Sequence, residues 1–177
     1  MDLRERKTKR NIKNAFIQLR AKKPLERISV KELAELAEIS KATFYLHYHD
    51  IYDLSDQLQK EVIQNVLDSL SQPSLVISDS TQFTRELFHA FYSQQALIDI
   101  LFSDSQASVL PVNIDKQLRE YIFQQIPEAA NDPKFNIMLT YKIQGGFFTY
   151  QQYHKQFGID MILDVIGKLC ESDTIGA

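Results

Sequence analysis

The chain has 177 residues, of which 44% are hydrophobic and 24% charged, with only five glycines and five prolines. Such a composition supports a globular chain of one or two domains and excludes a disordered or fibrous one. The net charge of −3 averages two unlike parts: residues 1–60 hold 13 basic and 9 acidic residues, whereas residues 61–177 hold 7 and 14. The one cysteine, Cys170, allows no intramolecular disulfide and reads as a core or interface residue. No apolar run approaches the roughly 20 residues of a membrane span, and the basic start lacks the apolar stretch of a secretory signal. A cytoplasmic protein with no membrane partner is expected.

The hydrophobic spacing is helical almost throughout, so an all-α fold is expected. In the first segment Ile12, Ala15, Phe16 and Leu19 recur on one helical face, and Pro24 follows the helix. Ser29-Val30-Lys31-Glu32 has the spacing of a capping box that opens a second helix of about two turns. Its Val30, Leu33, Ala34 and Ala37 face a core. Ser40 can cap a third short helix from Lys41 to about His47. Asp50 can cap a fourth, over roughly residues 51–70, with Asp53 in the favourable first turn. Leu54, Leu58, Val62, Val66 and Leu70 give this helix a steady apolar stripe.

The Ser-rich stretch 71–80, with Pro73, reads as a linker. Helices are expected again near 81–93 and 95–102, followed by a break over 103–111. Another should run over about 113–126 and close at Pro127. A long helix of about 134–152 follows Pro133, and Gly158 separates it from a last helix of about 159–170.

Residues 29–49, SVKELAELAEISKATFYLHYH, carry the strongest functional signal. Two short helices joined by a tight Glu38-Ile39-Ser40 turn match a helix-turn-helix, whose second helix enters a DNA major groove. Lys41, Thr43, Tyr45 and His47 offer polar groups on that helix, while Ala42, Phe44 and Tyr48 are candidates for packing inward. An arm of Arg4, Arg6, Lys7, Lys9, Arg10 and Lys13 concentrates positive charge suited to phosphates, although periodicity and charge alone fit equally a basic solvated helix in an ordinary bundle.

Ile28–Ala34 and Ala37–Tyr48 resemble the DNA-binding domain of the tetracycline-repressor (TetR) family of bacterial transcription regulators. The Thr43-Phe44-Tyr45 element followed by aromatic Tyr48 carries most of the resemblance, which covers about 50 residues. It implies a helix-turn-helix domain over residues 1–50 and a larger helical regulatory and dimerisation domain over 51–177, with helix four as connector. It also implies a homodimer that represses transcription by binding a palindromic operator on double-stranded DNA and is released by a small-molecule effector. By residue match, Thr43, Tyr45 and His47 are implied base-edge or phosphate contacts, Lys41 a phosphate contact, and Ser29 and Thr43 backbone-phosphate positions. Phe44 is expected to hold the helix in place. Two departures stand out: the usual glycine of the turn is Glu38, and a lysine common at the start of helix four is Ile51.

After residue 80 lie 14 of the 19 aromatic residues. They read as core, and some as the lining of a pocket between helices. The resemblance implies an effector pocket, for which Met138, Tyr141 and Phe148 are candidate lining residues. The last two helices resemble those of a regulator subgroup with short, aromatic-rich C-terminal halves, whose members lack a small-molecule effector or bind another protein; in the family as a whole this helix pair forms a four-helix dimer interface. Gly145 and Gly146 would allow close approach there, and Ile159, Ile162, Leu163, Ile166 and Leu169 would present an apolar face; by periodicity alone that face could equally be intrachain core. An alternative function is a regulator or adaptor whose C-terminal helices mainly bind another protein. No enzyme activity, metal or cofactor is expected. His47 and His49, two positions apart, do not share a helical face, no cysteine completes a zinc set, and no glycine-rich phosphate loop occurs.

Overall fold

The computed structural model describes residues 3–70, 75 and 79–172, the last three as backbone, and among these every regular element is a helix. Most of the expected linker over 71–80 and the side chain of Cys170 fall outside these residues. No helix among the described residues is long and apolar enough to cross a membrane. The elements are α1 (Leu3–Arg20), α2 (Val30–Leu36), α3 (Lys41–Tyr45), α4 (Ile51–Asp68), α5 (Ser80–Ser93), α6 (Gln95–Leu101), α7 (Val109–Gln125) and α8 (Pro133–Ser172). Three 3₁₀ turns, Leu25–Arg27, Asp104–Gln106 and Pro127–Asn131, link some of them.

The chain packs as two compact units, Met1–Val62 with Gln95–Leu110, and Ile63–Gln94 with Pro111–Ala177. This division differs from the expected boundary at residue 50. Residues 51–62 of α4, and α6 with its following turn, pack with the N-terminal helices. The reason is visible in two buried polar side chains of the first unit, Arg20 and Gln59, which no local pattern announces.

In that unit α1 packs on α2 and on α6, and α2 packs on α3. Ile12, Ala15, Phe16 and Leu19 are buried, as are Leu33, Ala34, Phe44, Tyr48, Ile51 and Leu54. Burying each large apolar side chain contributes about 1.5–3 kcal/mol, which a short helix such as α3 could not supply alone. Arg20, at the end of α1, is also buried. Its guanidinium donates to Lys23 O at 2.9 Å and to Ser103 Oγ at 2.6 Å, and lies 3.4 Å from Asp104 Oδ2. Gln59, buried on α4, donates from Nε2 to Leu101 O at 3.0 Å and to Gln106 Oε1 at 3.2 Å. These bonds fasten residues 101–106 to the N-terminal helices.

In the second unit α5 packs along α8. Two glycines permit the close approach. A Cβ on Gly146 would stand 3.1 Å from the Phe88 ring, and one on Gly167 would stand 3.3 Å from Thr81 Cγ2. Arg119 of α7 donates to Asp115 at 2.9 Å, Asn136 at 3.0 Å and Thr140 at 2.6 Å, tying α7 to α8. α7 starts about four residues earlier than expected, with Pro111 inside its first turn. A proline is tolerated there because its missing N–H would have no intrahelical partner. Gly158, at φ 75° and ψ 166°, breaks α8 where the sequence suggested, although the helix before it runs on past residue 152.

Candidate nucleic-acid interface

Side-chain capping sets the ends of the short N-terminal helices. Ser29 Oγ accepts the Glu32 N–H at 3.2 Å and opens α2. The expected capping box is only half formed, because the Glu32 carboxylate binds Lys23 Nζ instead of turning back. At the other end of α2, Glu38 N–H bonds Glu35 O at 3.2 Å and Ile39 N–H bonds Ala34 O at 3.0 Å. This is the Schellman pattern, which needs a left-handed residue at the position of Glu38. Glu38 adopts φ 56°. The turn therefore keeps the glycine geometry and forces a side chain into it, at a cost of roughly 1 kcal/mol.

Ser40 Oγ accepts the Thr43 N–H at 3.0 Å and lies 2.8 Å from Thr43 Oγ1, which starts α3. Asp50 and Asp53 cap α4 reciprocally: Asp50 Oδ1 accepts the Asp53 N–H at 2.8 Å, and Asp53 Oδ2 accepts the His49 N–H at 2.9 Å. The Gln57 side chain, the His49 N–H and the nearby His49 and Lys60 charges hold the Asp53 carboxyl below the usual carboxylate range. Each turn around the two short helices is thus fixed by a hydrogen bond from a residue the sequence places there.

The faces of α3 are clearly divided. Phe44 and Tyr48 point into the core, with ring centroids 5.7 Å apart. Burial, with Glu61 and Asp53 near, pushes the Tyr48 phenol up, so it stays neutral at ordinary pH. Lys41, Ala42, Tyr45 and Leu46 are exposed; Ala42 therefore does not pack inward. Tyr45 is 56% exposed and Leu46 81%. Thr43 and His47 sit half-buried on the flanks, and the Thr43 hydroxyl is engaged with Ser40. Ser29 is exposed beside the start of α2.

The cationic arm is helical, being the first half of α1. Arg6, Lys7 and Arg10 are exposed on the side opposite the buried positions, and Arg4 is exposed as well. Lys9 lies 3.1 Å from Glu5, and Lys13 is bound to Glu61 of α4. Ile51, where a lysine would meet phosphate, is buried and has a core role.

The residues expected to serve an effector or a dimer are dispersed. Met138, Tyr141 and Phe148 are exposed along α8. Ile162 and Leu163, expected at a dimer interface, are buried in their own chain, and Ile159 and Ile166 are half-buried. Gly146 faces Phe88 of the same unit, so its missing side chain serves intrachain packing, whereas Gly145 is exposed with open space about it. Exposed apolar side chains stand on both sides of the break at Gly158: Tyr141 and Phe148 before it, and Met161, Val165 and Leu169, the last of these expected at the interface, after it.

Two features were missed in the sequence. One is Leu46, which its apolar type alone would place in a core. The other lies on α7, where Asn113 Nδ2, Gln117 Nε2 and Tyr121 Oη are sealed from solvent with no partner among the described residues. Their spacing of four puts them on one face. A polar residue at every fourth position of an otherwise apolar stripe was the available signal. Burial, with Asp68 and Glu86 nearby, pushes the Tyr121 phenol up. Among the described residues no group of three or more His, Cys, Asp or Glu side chains could hold a metal ion. Comparison with family models, curated proteins and solved structures found no match to this chain.

Proposed function

We propose that the protein is a homodimeric, sequence-specific DNA-binding regulator of transcription, a repressor of the tetracycline-repressor type, that inserts α3 into the major groove. The observation that carries this reading is the construction around α3. A five-residue helix is capped at its start, held by buried Phe44 and Tyr48, and entered through a strained Schellman turn, yet it leaves a whole face exposed. Such expense on a helix too short to stabilise itself is understandable if the face is used. Residues 1–49 hold 12 basic and 6 acidic residues, and the remaining 128 hold 8 and 17, so the charge favouring a polyanion lies with that helix.

Tyr45 and Lys41 are the exposed polar contacts on α3, with Thr43 and His47 at its edges and Ser29 at the start of α2. Arg4, Arg6, Lys7, Lys9 and Arg10 supply phosphate contacts. The exposed apolar face of α8 supports the homodimer, whose two copies of α3 must meet half-sites about 34–36 Å apart. The sealed donors of Asn113, Gln117 and Tyr121 support a small-molecule effector in the second unit, since a buried donor left unpaired is costly unless a ligand satisfies it.

Selection from random duplex DNA tests the reading. The expected result is an enriched palindrome, bound by a dimer, with log affinity falling linearly against log salt. Salt-sensitive binding without sequence preference would overturn it. The alternative, an adaptor using α8 to bind a different protein, predicts a monomer in sedimentation at micromolar concentration; a dimer there favours the proposal.

A further inference from the structure

The face that α3 leaves exposed is unusual for a surface meant only to meet phosphate. It carries Lys41, Ala42, Tyr45 and Leu46. Leu46 is the most exposed large apolar side chain among the described residues, at 81%. Its neighbours Phe44 and Tyr48 are buried, so the helix is not frayed or turned wrongly. Leu46 also adds nothing visible to the fold, since its side chain is turned away from the core that α3 helps to close.

Resting on the DNA-binding reading above, we infer that Leu46, with the Ala42 methyl one turn before it, reads the 5-methyl groups of thymines in the major groove. The chemistry is specific. Thymine alone of the four bases presents a methyl group there, and small or branched apolar side chains are its natural partners. A helical turn separates Ala42 and Leu46 by about 6 Å along the axis, comparable with one to two base steps of about 3.4 Å. Tyr45 lies between them on the same face and supplies a hydroxyl for a base edge or phosphate. Lys41, exposed beside Ala42, supplies a cation for the backbone. The occupant is duplex DNA rather than an apolar protein surface because this face belongs to the segment of net +6, residues 1–49. The apolar groups of this face are one leucine and one alanine, set beside the Lys41 cation and the Tyr45 hydroxyl, a mixed chemistry that suits a base edge between phosphates.

The experiment replaces thymine by uracil, which removes the methyl group and preserves base pairing. The enriched duplex from random selection is remade with uracil at each thymine in turn, and binding by the full-length protein is measured. One or two positions should weaken by about fourfold each, the loss expected when one buried methyl group is removed. Leu46→Ala should bind the thymine duplex about as weakly as the wild type binds the matching uracil duplex, and should no longer distinguish the two. Its circular dichroism and melting should match the wild type, because the side chain is exposed.

Equal wild-type affinity for thymine and uracil at every position would overturn the inference and leave the regulator reading intact. So would a Leu46→Ala variant that retains the full preference for thymine. Absence of any enriched sequence would remove both. The two failures are therefore distinguishable.

Discussion

α3 and α8 each show the surroundings one finished face, and the two faces differ in kind. On α3 it is short, mixed in chemistry and carried by the basic part of the chain. On α8 it consists of apolar side chains exposed on both sides of Gly158, Tyr141 and Phe148 before it and Met161, Val165 and Leu169 after it, in the acidic part. Exposed apolar area of that extent favours a protein partner, whereas an exposed phenol and a lysine among basic residues favour a polyanion. Net charge is uninformative for the whole chain and informative for each helix. The core residues are likewise of two kinds, those that hold α3 in place and those that bring α5 against α8.

Removing the anchor of α3 should have the largest effect. Phe44 is fully buried, so Phe44→Ala should cost about 3–5 kcal/mol in chemical denaturation, with binding lost as α3 loosens. If α3 is instead held by its caps alone, the loss will stay near 1 kcal/mol. Next in size is the pair of adjacent glycines on α8. Gly146→Leu would drive a side chain into Phe88 and should destabilise by about 1–3 kcal/mol. Gly145→Ala meets open space and should stabilise the helix by up to about 1 kcal/mol. Equal effects at the two positions would show that α5 does not rest on Gly146.

The strained turn gives a smaller effect of opposite sign. Glu38→Gly should raise stability by up to about 1 kcal/mol, because glycine accepts φ 56° without a Cβ clash. The gain is limited by the extra freedom of glycine in the unfolded chain. A drop in melting temperature would mean that the Glu38 side chain makes a stabilising contact that outweighs its backbone strain.

The starts of α2, α3 and α4 were legible because the groups that cap them are local: Ser29, Ser40 and Asp50 each serve an N–H three residues on. The same chemistry misled at Glu32, whose carboxylate is taken by Lys23, nine positions back and brought near only by the fold. Pro111 suggested a break because a proline's meaning depends on its distance from the helix start, which composition does not give. The exposed face of α8 was hidden for a different reason. The last helix carries apolar residues on two sides, and which side is covered depends on what packs against it: Ile162 and Leu163 turn inward while Met161 and Val165 turn out. Neither Arg20 nor Gln59 could be identified as a buried fastener, since both bind backbone or side chains more than 40 positions away. The likeness of residues 28–48 to a DNA-reading domain lay in the sequence; the division of α3 into a buried and an exposed face did not.

The smallest expected effect concerns the cap that orients α4 behind α3. The Asp53 carboxyl is held below its ordinary value first by the Gln57 side chain and then by the His49 N–H. An aspartate in the unfolded chain titrates near pH 4. A group depressed on folding contributes stability that is present above that pH and is lost as pH falls through the lower folded value. Acidification below about pH 4 should therefore weaken the first unit in part through Asp53. Asp53→Asn retains an oxygen to accept the His49 N–H but has no charge to lose, and it forgoes the favourable interaction of a carboxylate with the start of α4. The variant should be slightly less stable at pH 7 and should lose stability less steeply as pH falls below about 4. Parallel pH profiles for the two proteins would show that the carboxylate acts only as a neutral acceptor. The contrast between the two units would then rest on packing and exposed faces alone, with no share for this charge at the entry to α4.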